Sequence, residues 1–149
     1  MSDAAQANDS ALVLKLLKQG AELEWRNPGN GSTPLAIACG FGSYEAAEAL
    51  CAHGAELDAR DNSQQTPLHF AAWKGHTKIC EMLLALGADP SLKSKSGKTA
   101  LDWARKQNKP ECAAVLEAWA AGERDPEALA KVAADAPPRV PGYETPDDY

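Results

Sequence analysis

The sequence predicts an all-α solenoid built from stacked helix-turn-helix units. Three observations carry this. First, Thr33-Pro34-Leu35, Thr66-Pro67-Leu68 and Thr99-Ala100-Leu101 recur at intervals of 33 residues. Second, the same interval relates Ala38, Ala71 and Ala104, then Gly42 and Gly75, then Leu50, Leu83 and Leu116. Third, Gly54-Ala55 returns as Gly87-Ala88. A fixed period of this length is the signature of a stacked-repeat protein, in which no unit buries its apolar face alone.

Each element follows from local chemistry. In the units at about 27–60 and 61–93, threonine offers an N-cap oxygen to the first helix. Proline follows at the position where its missing N–H costs nothing. Gly42 and Gly75 end the first helix, and Ala38 and Ala71 are small where helices of adjacent units approach closely. In the second helix of the third unit, Ile79, Met82, Leu83 and Leu86 fall at helical spacing and are expected to form its apolar face.

The first unit, about 2–26, has Leu12, Leu14, Leu16 and Leu17 before a stop at Gly20 and lacks the Thr-Pro-Leu start, as an end unit facing water should. Gly20-Ala21-Glu22-Leu23 repeats as Gly54-Ala55-Glu56-Leu57 at an offset of 34 rather than 33. The extra residue must lie in the loop at 27–32. The fourth unit, about 94–121, keeps Thr99 and places Asp102 three residues on, a capping arrangement. Asn108 stands where glycine is expected, and Pro110 opens the second helix, which reads through to Gly122 as a longer helix closing the stack. Beyond residue 121 the composition changes. Asp125-Pro126-Glu127 starts a short helix at about 126–134, and the acidic, proline-rich remainder to 149 is either disordered or an extended peptide docked on something.

Thr66-Pro67-Leu68-His69-Phe70-Ala71-Ala72-Trp73-Lys74-Gly75-His76, with its two partial copies, resembles the ankyrin repeat. The resemblance covers residues 2–121 and implies four repeats of paired helices with β-turn fingers along one side. It also implies no catalytic activity, and a partner protein held on the concave face by finger tips and first helices. Mapped onto this chain, those places are Arg60, Asn62, Ser63 and Gln65 on one finger, with Trp73 and Lys74 behind it. The preceding unit adds Asn30, Ser32 and Phe41, and the following one adds Lys95, Lys98, Lys106 and Gln107. Gln64 stands where the family has glycine, as at Gly31 and Gly97, so a differently shaped finger is expected there. The histidine of the repeat start, His69, links neighbouring turns in such proteins, and His76 is structural in the same way.

Trp73 is the most informative side chain. Trp103 aligns with Phe70 and Ile37 and reads as core, whereas Trp73 aligns with Gly40 and Lys106. A position that takes a glycine and a lysine lies at a surface, and an exposed tryptophan there suits a binding anchor.

The bulk numbers agree with a binding module and exclude other classes. The net charge of −6 is uneven: residues 93–109 carry six basic side chains against Asp102 alone, between an acidic front and an acidic tail. An acidic chain is a poor non-specific nucleic-acid binder, and the basic stretch suits an acidic partner segment or a tail folded back on it. Four cysteines at 39, 51, 80 and 112 form no CxxC pair, so neither a zinc site nor a disulfide framework is expected, and the cytosol or nucleus follows. No apolar run is long enough to span a bilayer, and the start Met1-Ser2-Asp3-Ala4-Ala5-Gln6 does not read as a signal peptide. No glycine-rich phosphate loop, nucleophile elbow or ligand pair appears. The expectation is therefore a monomeric, non-enzymatic adaptor, scaffold or assembly factor with no cofactor and no metal. The alternatives are a small inhibitor of a kinase or cytoskeletal protein and, ranked after it, a nucleic-acid binder acting through the basic last repeat.

Overall fold

The computed structural model describes residues 23–136 and, before them, Gln19. Most of the first unit and the segment 137–149 lie outside the described residues. Seven helices make up the described chain, and it contains no strand: α1 (Pro34–Phe41), α2 (Tyr44–Ala52), α3 (Pro67–Lys74), α4 (Thr77–Leu86), α5 (Ala100–Lys106), α6 (Pro110–Ala120) and α7 (Pro126–Ala134).

The first helices form one layer, α1 against α3 against α5, and the second helices another, α2 against α4 against α6. Each first helix also packs on its own second helix. The core lies between the layers and repeats with the sequence. Leu35 and Leu68 are buried on the first helices, and Leu50, Leu83 and Leu116 on the second. Ala38, Ala71 and Ala104 are fully buried where first helices meet, which is why these slots are small. On α4 the buried face is Ile79, Cys80, Leu83 and Leu84. Met82 lies at its edge and Leu86 is 54% exposed, so the expected face is rotated. The pairs 79/83 and 80/84 each lie one turn apart and define the stripe, which leaves residue 86 beyond its rim.

The first helix of each described repeat is capped by threonine as expected. Thr33 Oγ1 accepts from the Ala36 N–H (3.3 Å), and Thr66 and Thr99 do the same for the amides of His69 and Asp102. In α5 the box is closed by Asp102 Oδ2, which accepts from the Thr99 N–H (3.0 Å). In α3 a histidine plays that part, His69 Nδ1 accepting from the Thr66 N–H (3.1 Å).

Between repeats the chain makes fingers closed by paired backbone bonds. Asp61 N donates to Gln65 O (3.0 Å), and Ser94 N to Lys98 O (2.8 Å). The corresponding bond of the finger before them runs from Asn27 N to Ser32 O (2.9 Å), one residue further along. That is the insertion implied by the offset of 34. Successive fingers are stitched together by Asn62 N to Asn30 O and Lys95 N to Ser63 O, both 2.9 Å.

The finger at 61–65 does not differ in shape. Gln64 takes φ +62°, alongside +78° at Gly31 and +80° at Gly97. Stacking and the stitches on either side hold the turn, so glutamine adopts a left-handed conformation that costs an L side chain roughly 1 kcal/mol. Its Oε1 accepts from Arg60 Nη1 (3.2 Å) at the surface, a small return. Gln64→Gly is expected to raise stability by about 0.5–1 kcal/mol in urea unfolding. An unchanged or lower midpoint would show that the turn is unstrained.

The stack does not end at α6. α7 packs on α6 and touches α4, with Leu129 buried at 3% exposure. Arg124 fastens the connection, its guanidinium 3.9 Å from the centre of the Trp119 ring and its Nη1 donating to Trp119 O (2.6 Å). The change at residue 121 is one of composition rather than of packing, because α7 covers the face of α6 that would otherwise meet water.

Candidate partner-binding site

One groove lies where the finger at 27–32 meets α1 and α3. It encloses about 400 Å3 and is lined by Asn30, Ser32, Ala36, Ile37, Gly40, Phe41, Phe70, Trp73 and Lys74. Gly40 opens it. A side chain in that slot would project over Phe70, and a Cβ there would stand 3.8 Å from Phe70 Cβ, an ordinary contact. In the next repeat the same slot holds Trp73, which therefore forms a wall facing the space that Gly40 leaves. Phe41 stands at the mouth, 63% exposed.

The far wall is braced. The Trp73 ring packs on Trp103 at 6.3 Å between centroids, tilted by 50°. Lys74 Nζ sits 4.3 Å from the centre of the Trp73 ring, and Lys106 Nζ 5.4 Å from that of Trp103. Two cations are thus held over two neighbouring, mutually tilted indoles, an arrangement worth about 0.5–1 kcal/mol per cation–ring pair at exposed sites.

The expected site residues separate into three groups. Asn30, Ser32, Phe41, Trp73 and Lys74 come together around the groove, although Ser32 is only 5% exposed and forms its wall rather than a tip. Arg60, Asn62, Ser63, Lys95, Lys98 and Lys106 lie outside the lining, on fingers and on α5. Gln65 and Gln107 are not surface residues, at 3% and 4% exposure. The Gln65 backbone closes its finger with both N–H and C=O, which turns the residue inward, and Gln107 ends α5 with its N–H on Trp103 O. Ala36, Ile37, Gly40 and Phe70 also line the groove, although none of them is among the site residues expected from the sequence. The signal available was Gly40 itself, an empty slot opposite a tryptophan.

His69 and His76 link neighbouring repeats. Because His69 Nδ1 accepts from the Thr66 amide, the proton resides on Nε2, which donates to Lys98 O of the next finger (2.9 Å). Burial pushes its pKa below the ordinary value and the Arg60 charge adds to this, against the pull of the Lys98 carbonyl. His76 Nε2 lies 3.3 Å from Gly40 O, and burial, with Lys109 and Lys74 near by, lowers its pKa also. Cys39, Cys80 and Cys112 are buried, and burial raises the Cys39 thiol well out of the reactive range. Cys51 is pushed up to about 11 by burial and by the charge of Glu48.

A family model described as ankyrin repeats, in three copies, matches residues 1–94. The chain belongs to the ankyrin-repeat family. No curated protein matches it. Ankyrin repeats are generally protein–protein interaction modules and a non-catalytic fold. The matched residues end before the α5–α6 pair, which has Thr99 at its cap and Asn108 (φ +56°) where the units before it have a helix-ending glycine. Among the described residues no helix is long and apolar enough to cross a membrane.

Proposed function

We propose that this ankyrin-repeat protein is a non-catalytic adaptor, scaffold or assembly factor. It holds a segment of a partner protein along the face made by fingers and first helices, with Phe41, Trp73 and Lys74 as principal contacts. The observation that carries the reading is a largely apolar groove with an exposed phenylalanine at its mouth, because exposed apolar patches on a soluble domain mark interaction sites. Arg60, Asn62, Ser63, Lys95, Lys98 and Lys106 extend the contact along the stack. The lining offers no histidine, cysteine or carboxylate for chemistry. Four free thiols suit the cytosol or nucleus.

Filling the groove tests this. Gly40→Leu replaces a helical glycine that has an ordinary contact distance at Cβ, so stability should change by no more than about 1 kcal/mol. Proteins captured from a native lysate by the parent should be lost by the variant. Retention of every captured protein by a well-folded Gly40→Leu protein would remove the groove from the binding surface.

A further inference from the structure

We infer that Cys80 and Cys112 are a peroxide-sensitive modification site, at which a reversible disulfide forms and ties the third unit to the fourth. The inference is independent of the groove and of whatever occupies it.

Stacking brings the two thiols together. They stand 32 residues apart in the chain, on α4 and α6, the second helices of adjacent units, which pack on each other. Their sulfurs are 3.9 Å apart, with Cys80 Sγ donating to Cys112 Sγ. A disulfide needs about 2.0 Å between sulfurs, an approach within the reach of rotation about the Cα–Cβ bonds. Both thiols are buried, and a small cleft ends on one of them. It encloses about 10 Å3, room for one water-sized molecule, and is lined by Gly75, Thr77, Lys109, Pro110, Glu111 and Cys112. Glu111 is exposed, so the cleft reaches the surface, and Cys80 is not part of its lining.

The two thiols are not equivalent. Cys112 is the third residue of α6, in the first turn, where the helix dipole favours a negative charge. It accepts from Cys80, and the Thr77 hydroxyl lies 3.3 Å from its sulfur. The bond from Cys80 lowers its pKa most, and the Thr77 bond and the Lys109 charge act the same way, against burial and the Glu111 charge. Cys80, the donor in that bond and fully buried, is held protonated. Burial holds Cys39 and Cys51 protonated as well. Cys112 is therefore the thiol that reacts first. Its thiolate attacks one oxygen of hydrogen peroxide: the S–O bond forms, the O–O bond breaks, and the departing hydroxide takes up the thiol proton as water. Cys80 Sγ then attacks the sulfur of the resulting sulfenic acid. The S–S bond forms, the S–O bond breaks, and hydroxide leaves with the Cys80 proton as a second water. The thiol pair has lost two electrons and the peroxide has become two waters. A dithiol reductant reverses the change, as suits a transient disulfide in a reducing compartment. The link closes a loop over residues 81–111, which holds α5 and the finger at 94–98, and so couples the fourth unit to the stack.

The test uses the full chain, reduced and then treated with a small excess of hydrogen peroxide near neutral pH, with free thiols alkylated before proteolysis. The expected product carries one cross-linked pair of peptides, one with Cys80 and the other with Cys112, while Cys39 and Cys51 are alkylated. Dithiothreitol should return both thiols. The oxidised protein should melt about 5 °C higher or more, because the closed loop restricts the unfolded chain. In Cys80→Ala, with folding checked by its melting curve, dimedone should label Cys112 as a sulfenic acid. Recovery of all four thiols free, under conditions that fully oxidise glutathione, would overturn the inference, as would a disulfide joining any other pair or two chains. An unchanged or lower melting point of the cross-linked form would show that the bond does not tie the fourth unit to the stack. A dimedone adduct on Cys39 or Cys51 instead would overturn the assignment of Cys112 as the first to react.

Discussion

His69→Ala is expected to lower stability by about 3 kcal/mol, read as a shift in the urea midpoint at unchanged slope. The imidazole is 2% exposed and bridges two repeats. Its Nδ1 accepts from the amide that begins the α3 cap, and Nε2–H reaches the Lys98 carbonyl of the next finger. Truncation leaves the buried Thr66 amide without a partner, which costs roughly 1–3 kcal/mol, removes one of two donors to the Lys98 carbonyl, which keeps its bond from Ser94 N, and takes away half of a capping box worth about 1 kcal/mol. A loss below about 1 kcal/mol would mean that the stack does not depend on this bridge. The same side chain makes stability depend on pH. Its folded pKa lies below the reference value of 6.5, so between the two the unfolded chain binds more protons than the folded one. Stability is therefore full above 6.5 and declines as pH falls from there toward the folded value. His76 acts in the same direction. The decline between about pH 7.5 and about pH 5.5 should be shallower in His69→Ala than in the parent. Parallel curves would show that His69 takes no part in it.

Trp73→Ala is expected to weaken binding of a groove-directed partner by about 2 kcal/mol or more, roughly thirtyfold, because a preorganised tryptophan wall is lost. The stability cost should be smaller, about 1–2 kcal/mol, since the ring is half-buried and meets Trp103 in a tilted pair. Titration of one partner peptide alongside urea unfolding separates the two quantities. Unchanged affinity would strip Trp73 of its assigned role. A stability loss above about 4 kcal/mol, the range for a fully buried tryptophan, would make it a core residue.

Much of the fold was legible because repeat architecture writes local chemistry at a fixed spacing. The threonine caps, the prolines that follow them and Asn108 each act within a few residues, so each could be placed from the chain alone. Even the longer finger at 27–32 followed from an offset of 34 between two Gly-Ala stops. Errors arose where a neighbour decides. Gln64 looked like a change of finger shape, yet stitches from two adjacent fingers force it into the left-handed region. Gln65 and Gln107 aligned with contact positions but turn inward. Leu86 kept helical spacing and still lies outside the packed stripe.

The sequence by itself determined the repeat, its caps and stops, and the basic and acidic segments. Those are properties of one unit, or of charge counted along the chain. The groove was decided only by the tertiary structure. It is the difference between two units laid side by side, an absent side chain at Gly40 facing a large one at Trp73, with Phe70 as floor and Trp103 as brace. A void of this kind depends on the sizes of residues 33 positions apart and on the angle at which their helices meet, and the second of these is set by packing alone.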